Sequence, residues 1–340
     1  MQQRMLELAR WCAGDVAIDC WNTYALKLET QMAQNRIRGV LSPVLTPFNA
    51  DYSVAQDKFL THCRGLVDCN VGLAVFGTNS EANSLTLAEK RGLLDLLVDN
   101  GIDASRLMPG TGACALGDAI ELTKHATDLG AAGVLMLPPF YYKGVSDEGV
   151  YRYYASVIDS VADPALRVYL YHIPQVSQVG ISLDLIERLL RAYPENIAGV
   201  KDSSGNWDNT QAMLKQFQPQ GFDVFAGSET FLLPTLKGGG VGCITATGNV
   251  NAAQIAALAA NWQDDDAQAR QDELDVVRNI FQKFPMIPAM KAAIADQTGD
   301  NDWAVVRPPL VDLHASQRSE LKSALAAVKF SVNQAERLPA

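Results

Sequence analysis

Residues 197–205 read Ile-Ala-Gly-Val-Lys-Asp-Ser-Ser-Gly. A short apolar run ends on a lysine, and turn-forming residues follow directly. The run is continuously apolar rather than alternating, which is typical of a strand buried on both faces of a parallel sheet. Similar runs recur along the chain at fairly even intervals, and each is followed by a turn signal and a helical pattern. The fold is therefore predicted from the repetition of this pattern.

The runs of this kind are predicted to be strands, and several of them are continuously apolar. They are Gly39–Thr46, Val71–Gly77, Arg106–Gly110, Gly133–Pro138, Leu166–His172, Ile197–Lys201, Phe222–Gly227 and Val241–Thr245. Helices are predicted between them: residues 86–89 (Thr-Leu-Ala-Glu) form a capping box, and Ser182 precedes an amphipathic run. Gly101 and Gly130 lie where helices commonly end in glycine.

Strand–helix units of this size and number predict an α/β protein with a closed (β/α)8 (TIM) barrel. A doubly wound open sheet is the alternative on periodicity alone, but the glycine fingerprint of dinucleotide binding is missing. We expect the barrel to span residues 36–265, with a C-terminal helical region at 266–340 beside it. Residues 1–35 precede the first strand, and two interpretations stay open: a dispensable helical extension, or a real start at Met32.

Composition excludes several classes of protein. The 340 residues are 48% apolar and carry a formal charge of -10, so no basic stripe is available to bind nucleic acid. The six cysteines show no Cys-x-x-Cys spacing, and no apolar stretch is long enough for a signal peptide or a membrane span. We therefore expect a soluble cytoplasmic protein with free thiols.

Lys201 is the main candidate for chemistry. Active sites of such barrels lie at the carboxyl ends of the strands, where this lysine closes the sixth predicted strand. Desolvation there favours the neutral amine, which attacks carbonyl carbon. A structural ion pair, or a lysine reaching to the rim, is the alternative from the local pattern.

Other strand ends carry candidate partners for this lysine. Tyr171 and His172 point to opposite sides of one strand, so only one can face the barrel interior, where a tyrosine could transfer protons. Packing in the barrel wall is the alternative for that tyrosine. Thr78 could relay a proton or hold a carboxylate, or it could cap the next helix.

These motifs occur together, and in order, in one known family. From about Gly39 to Leu325 the chain resembles the dihydrodipicolinate synthase / N-acetylneuraminate lyase family of pyruvate-dependent aldolases. The similarity begins with the Pro-Val-Leu-Thr-Pro-Phe run at 43–48. It extends to Pro288, Lys291 and the Arg-Pro-Pro-Leu run at 307–310.

The resemblance implies roles for particular residues, with neither a metal nor a cofactor. Lys201 would form a Schiff base with a 2-keto acid, pyruvate, and Tyr171 would shuttle protons. Thr78 would link Tyr171 to Tyr142, which a neighbouring subunit would contribute across a tight dimer interface. Family members are commonly homotetramers built as dimers of dimers.

The same resemblance implies a binding pocket around the keto acid. The backbone amides of Thr78 and Asn79 would hold its carboxylate, and Gly227 and Ile244 would line the Schiff-base pocket.

Departures from the family pattern bear on the second substrate, an aldehyde. Synthases of this family usually carry an arginine just after the fifth-strand proline, where this chain has Gln175. Asn79 and Ser80 also replace a usual threonine and glycine. We therefore predict a lyase or aldolase acting on a 2-keto-4-hydroxy acid, such as a deoxy sugar acid.

Three alternatives are weighed against this prediction. The first is 4-hydroxy-tetrahydrodipicolinate synthase, which joins pyruvate and aspartate semialdehyde. The second, of another class, is a non-catalytic keto-acid sensor. The third, a metal-dependent aldolase, would need converging ligands. The four histidines show no such spacing: His62, His125, His172 and His314.

Overall fold

Seven parallel strands form one sheet in the computed structural model, which describes residues 36–332. The strands are β1 (Gly39–Ser42), β2 (Gly72–Leu73), β3 (Val134–Met136), β4 (Val168–His172), β5 (Ile197–Asp202), β6 (Asp223–Ala226) and β7 (Gly242–Ile244). Their order across the sheet is β2-β1-β7-β6-β5-β4-β3. Each of these strands lies within a run that the sequence predicts as a strand or overlaps its end.

The remaining predicted strand, Arg106–Gly110, pairs through isolated bridges rather than a continuous ladder. On one side the backbone N–H of Met108 donates to Leu73 of β2 (2.9 Å). On the other side Leu135 of β3 donates its N–H to Pro109 (2.9 Å), and Thr111 donates back to Leu135 (3.1 Å). Residues 107–111 therefore pair with both β2 and β3, the two strands at opposite ends of the strand order.

Helices connect successive strands. They are α1 (Gln56–Asp68), α2 (Leu87–Asp99), α3 (Leu116–Asp128), α4 (Asp147–Val161), α5 (Pro174–Ser177), α6 (Leu183–Ala192), α7 (Trp207–Phe217), α8 (Leu232–Lys237) and α9 (Ala252–Ala260). The last of these, α9, already follows β7, and three more come after it: α10 (Ala267–Phe281), α11 (Met286–Thr298) and α12 (Ala315–Ala327).

The predicted helix starts are confirmed at atomic level. At the start of α2, Thr86 Oγ1 accepts from the N–H of Glu89 (3.2 Å), and Glu89 Oε2 accepts from the N–H of Thr86 (2.8 Å). Ser182 Oγ accepts from the N–H of Leu185 (3.1 Å) at the start of α6. Each such cap satisfies backbone donors that the first helical turn leaves free, and stabilises a helix by about 1 kcal/mol.

Two apolar clusters hold this unit together. The larger one packs the sheet against helices that connect its strands, and it includes Leu170 of β4 and Val200 of β5. The second joins α10–α12 to Leu45, which follows β1, and to Val250, which follows β7. The described residues from Arg38 onward form one compact unit by their contacts. The predicted extension 1–35 and the last part of the predicted C-terminal region, 333–340, lie outside the described residues.

Within residues 36–332, no helix combines the length and the apolar character needed to cross a membrane.

Candidate active site

Tyr171 and Lys201 lie side by side at the carboxyl ends of neighbouring strands. They are register partners in the β4–β5 ladder, so their side chains project from the same face of the sheet. Both are buried, with 3% and 2% of their surface exposed. Lys201 Nζ lies 4.4 Å from the centre of the Tyr171 ring. Among the described residues no carboxylate pairs with this amine, so the structural ion pair considered as its alternative role is not found there.

Thr78 completes a connected set of three side chains. It opens a short 3-10 turn, Thr78–Ser80, that follows β2. Its hydroxyl lies 3.1 Å from the Tyr171 hydroxyl, and either oxygen can donate the hydrogen bond. Hydroxyl groups linked in this way can pass a proton between a buried tyrosine and a neighbouring site.

The turn at Thr78 also presents two backbone donors. The first N–H groups of a helical turn have no partner inside that turn. In residues 36–332, no hydrogen-bond acceptor is found for the N–H of Thr78 or of Asn79. Side-chain and backbone contacts fix the turn, since Ser80 Oγ accepts from Gly77 N (3.2 Å) and Ser80 O accepts from Thr46 Oγ1 (2.8 Å).

His172 and Asp202 point to the opposite side of the same two strands. The Nδ1 atom of His172 accepts a hydrogen bond from Ile181 N (3.0 Å), and burial lowers the pKa of this histidine. Asp202 accepts from Thr210 Oγ1 (2.7 Å) in α7. Because side chains alternate along a strand, Tyr171, rather than His172, lies on the face of the sheet that carries Lys201.

Gly227 packs closely against the turn that follows Lys201. Its N–H donates to Asp202 O (2.7 Å), and a Cβ atom at this position would lie 2.6 Å from Ser203 Cα. A side chain here would displace the end of β5. Ile244, the other predicted pocket residue, is buried on β7 in register with Leu41.

Tyr142 is not brought to this cluster. It lies in the segment after β3 with 73% of its surface exposed, and its ring packs edge-on against Tyr141 at 5.3 Å. Lys143 ties this segment to the next strand end by donating to the carbonyl oxygens of Phe140 and Ser177, the latter at 3.0 Å. Of the predicted catalytic residues, the structure gathers Thr78, Tyr171 and Lys201 and leaves Tyr142 on the surface.

Two polar contacts near these strand ends were not predicted from the sequence. Gln175, in α5, donates through Nε2 to Ser203 O (2.5 Å), so it joins the ends of β4 and β5. Glu229, after β6, is buried against the hydroxyls of Thr245 and Thr247 and lies 3.2 Å from Arg278 Nη1 of α10. The sequence offers a local signal only for the first, since Gln175 follows the strand-end proline.

Within the described residues, no group of three or more histidine, cysteine, aspartate or glutamate side chains could hold a metal ion.

Relatives with known names match nearly the whole described chain. A lyase described as DapA-like and uncharacterised, from Chloroflexus aurantiacus, is 34% identical over 290 residues, covering 84% of this chain and 95% of the relative. The crystal structure of dihydrodipicolinate synthase from Agrobacterium tumefaciens superposes with a TM-score of 0.80 at 30% identity, over 86% of this chain and 100% of that one.

A second solved structure is that of YagE, a prophage protein of Escherichia coli from the dihydrodipicolinic acid synthase family, in complex with pyruvate. It matches with a TM-score of 0.78 at 28% identity, over 86% of this chain and 99% of that one. The model of the dihydrodipicolinate synthetase family matches residues 36–328. The chain therefore belongs to the dihydrodipicolinate synthetase family and is an enzyme of the lyase and aldolase class.

Proposed function

We propose that this enzyme breaks or forms a carbon–carbon bond through a Schiff base between Lys201 and pyruvate. The observation that carries this proposal is a buried amine, without a carboxylate partner among the described residues, beside a tyrosine hydrogen-bonded to a threonine. A lysine amine held beside a proton-transfer group can act as a nucleophile towards a carbonyl carbon. The pyruvate complex of the E. coli relative supports the choice of keto acid.

The first half of the reaction makes the imine. Lys201 Nζ attacks the keto carbon, and a proton moves from the nitrogen to the former carbonyl oxygen, which gives a carbinolamine. The Tyr171 hydroxyl then gives its proton to the departing hydroxide, so that water leaves. A protonated imine and a Tyr171 phenolate remain, and Thr78 stabilises that phenolate through the 3.1 Å contact. The backbone N–H groups of Thr78 and Asn79 bind the carboxylate, while Gly227 and Ile244 line the pocket.

The second half breaks the carbon–carbon bond. The phenolate takes the proton from the C4 hydroxyl, and the electrons of the C3–C4 bond move into the protonated imine. An aldehyde leaves, and an enamine of pyruvate stays on Lys201. Tyr171 returns its proton to C3, and water then hydrolyses the imine and releases pyruvate. The reverse sequence is an aldol addition.

We propose a 2-keto-4-hydroxy acid, of the deoxy sugar acid kind, as the substrate. Gln175 lies after the strand-end proline, and its neutral amide donates to Ser203 O. Asn79 is also neutral. Amide groups suit hydroxyl groups on the aldehyde half, whereas an arginine in this place suits a carboxylate.

A second candidate is 4-hydroxy-tetrahydrodipicolinate synthase, which joins pyruvate and aspartate semialdehyde. It is favoured by the name and the 30% identity of the A. tumefaciens structure. Both candidates use a Schiff base between Lys201 and pyruvate, and they differ in the aldehyde.

We further propose that the sheet is a closed eight-stranded barrel and that the protein is a homotetramer, a dimer of dimers. The pairing of residues 107–111 with both β2 and β3 supports closure. The exposed Tyr141 and Tyr142 support an interface that buries them, with Tyr142 reaching the Thr78–Tyr171 pair of the adjacent subunit.

The test is to incubate the protein with pyruvate and borohydride and to map the product by mass spectrometry. We expect a reduced adduct on Lys201 in the wild type and none in Lys201→Ala. An adduct then allows a screen of hydroxylated aldehydes against aspartate semialdehyde, which separates the two candidates. If no keto acid gives an adduct, the Schiff-base mechanism is wrong and a keto-acid sensor becomes the better interpretation.

A further inference from the structure

A buried ion pair joins the loop that carries Thr78 to the helices that follow the barrel. Lys291 of α11 contacts Glu81 Oε1, and both side chains have 0% of their surface exposed. The two residues are 210 positions apart in the sequence. Lys291 also donates to Val305 O (2.8 Å), and its ammonium group lies 4.4 Å from the centre of the Phe48 ring.

Glu81 has an unusual backbone conformation at the end of that loop. Its φ angle is +55°, in the left-handed region that residues with a side chain seldom adopt. Its N–H donates to Thr78 O (3.1 Å), so its own position fixes the turn that begins at Thr78. Its second carboxylate oxygen accepts from the N–H of Arg307 (2.9 Å). Both oxygens of this carboxylate are therefore held by residues from beyond the barrel.

We propose that Glu81 and Lys291 are positioning residues that hold Thr78 and the backbone donors of Thr78 and Asn79 in place for pyruvate. This inference rests on the proposed function, because the loop carries the groups that would bind pyruvate in that reaction. The ion pair acts through the loop, since no contact joins it directly to Tyr171 or Lys201 among the described residues.

Stability alone does not account for this pair. Burial, the largest effect, lowers the pKa of Lys291 to about 8; the Arg307 guanidinium also lowers this pKa, and Glu81 raises it. Removal of two charges from water opposes such a pairing. Replacing a buried ion pair by apolar groups of similar size is often neutral or stabilising, so the charges are explained better by the geometry that they impose.

The test uses two variants and a matched control. Glu81→Gln keeps the shape and removes one charge, and the double variant Glu81→Gln with Lys291→Met removes both. The control is Asp296→Asn with Arg318→Met, which removes an ion pair of 2.6 Å between α11 and α12 that does not touch the loop. Each protein is assayed for thermal unfolding, for borohydride trapping of pyruvate on Lys201, and for exchange of the pyruvate methyl protons with deuterated water.

We expect the double variant to unfold at a temperature close to that of the wild type and still to form the trapped adduct. Its methyl exchange at saturating pyruvate should fall at least about tenfold, and the half-saturating pyruvate concentration should rise, because the relay and the carboxylate donors lose their alignment. Glu81→Gln should also lower the rate of methyl exchange and raise the half-saturating pyruvate concentration. The control should behave as the wild type.

Wild-type exchange and wild-type pyruvate dependence in both loop variants would contradict the positioning role. An equal loss in the control would contradict it too, because the effect would then come from general loosening of α11 and α12. A wild type that gives neither adduct nor exchange would instead remove the proposed function, and the positioning role with it.

Discussion

At the scale of single residues, the candidate site depends on three atoms from distant parts of the chain. Thr78 Oγ1, Tyr171 Oη and Lys201 Nζ come from the ends of β2, β4 and β5. If Tyr171 carries the proton in both halves of the reaction, its loss must affect bond breaking more than capture of the keto acid.

We therefore expect Tyr171→Phe to lower kcat by about 10²–10⁴-fold, the range typical of a missing proton-transfer group. The adduct with pyruvate and borohydride should still form on Lys201, at a reduced rate. Tyr193→Phe is the matched control, because its hydroxyl contacts Asp159 on the protein surface (3.1 Å). Steady-state kinetics and mass spectrometry measure both effects, and full turnover by Tyr171→Phe would rule out its role as proton carrier.

The sequence predicted which residues form the candidate site better than it predicted the contacts that those residues make. Strand alternation left Tyr171 and His172 as alternatives, and only the pairing of β4 with β5 shows which one faces Lys201. Lys291 is among the residues quoted for the family resemblance, yet no local pattern connects it with Glu81, which lies 210 positions away. Contacts between distant positions depend on the tertiary fold, which periodicity does not record.

Among the secondary-structure elements, the sequence predicted the positions of the strands well and their lengths less well. The first strand was predicted as Gly39–Thr46, but β1 ends at Ser42 because Pro43 has no N–H for the ladder. The second was predicted as Val71–Gly77, whereas β2 contains only Gly72 and Leu73. An apolar run marks burial, and burial continues beyond the residues that form hydrogen bonds with a neighbouring strand.

The ion pair between Arg307 and Glu89 should make the free energy of unfolding depend on pH. Arg307, after α11, donates to both carboxylate oxygens of Glu89 in α2, and this contact holds the pKa of Glu89 at about 2, below its usual 4.5. A carboxyl group whose pKa is lower in the folded protein stabilises the fold above the unfolded pKa and loses that effect as the pH falls towards the folded pKa.

Glu89→Gln should therefore lower the free energy of unfolding by about 1–2 kcal/mol near neutral pH, a value reduced for partial exposure. The difference from the wild type should shrink as the pH falls from 4.5 towards 2, the two pKa values of this carboxyl group. Urea unfolding at neutral and acidic pH measures it, with Glu320→Gln on the exposed side of α12 as control. A difference that stays constant with pH would mean that the ion pair does not cause it.

At the scale of the whole molecule, the proposed dimer predicts that two inactive variants restore each other. Lys201→Ala lacks the amine but keeps Tyr142, and Tyr142→Phe keeps the amine. If Tyr142 serves the adjacent subunit, each mixed dimer contains one complete site. Random mixing should then restore about a quarter of wild-type activity, because half of the dimers are mixed and each has one working site of two.

The measurement is activity after the two variants are dissociated together and reassembled. A mixture of Tyr142→Phe with wild type serves as control for losses during reassembly. No activity above that of the separate variants would mean that Tyr142 acts within its own subunit or not at all.

The pair formed by Glu81 and Lys291 also bears on the order in which the enzyme becomes competent during its synthesis. A ribosome adds about 5–20 residues per second, so the segment that holds the Thr78 turn emerges well after that turn itself. Until Lys291 and Arg307 have left the exit tunnel, Glu81 has none of the partners that hold its carboxylate. The nascent chain can therefore form much of the sheet before the turn is held in place, and a partly made protein would carry Lys201 without ordered backbone donors for the proposed keto acid.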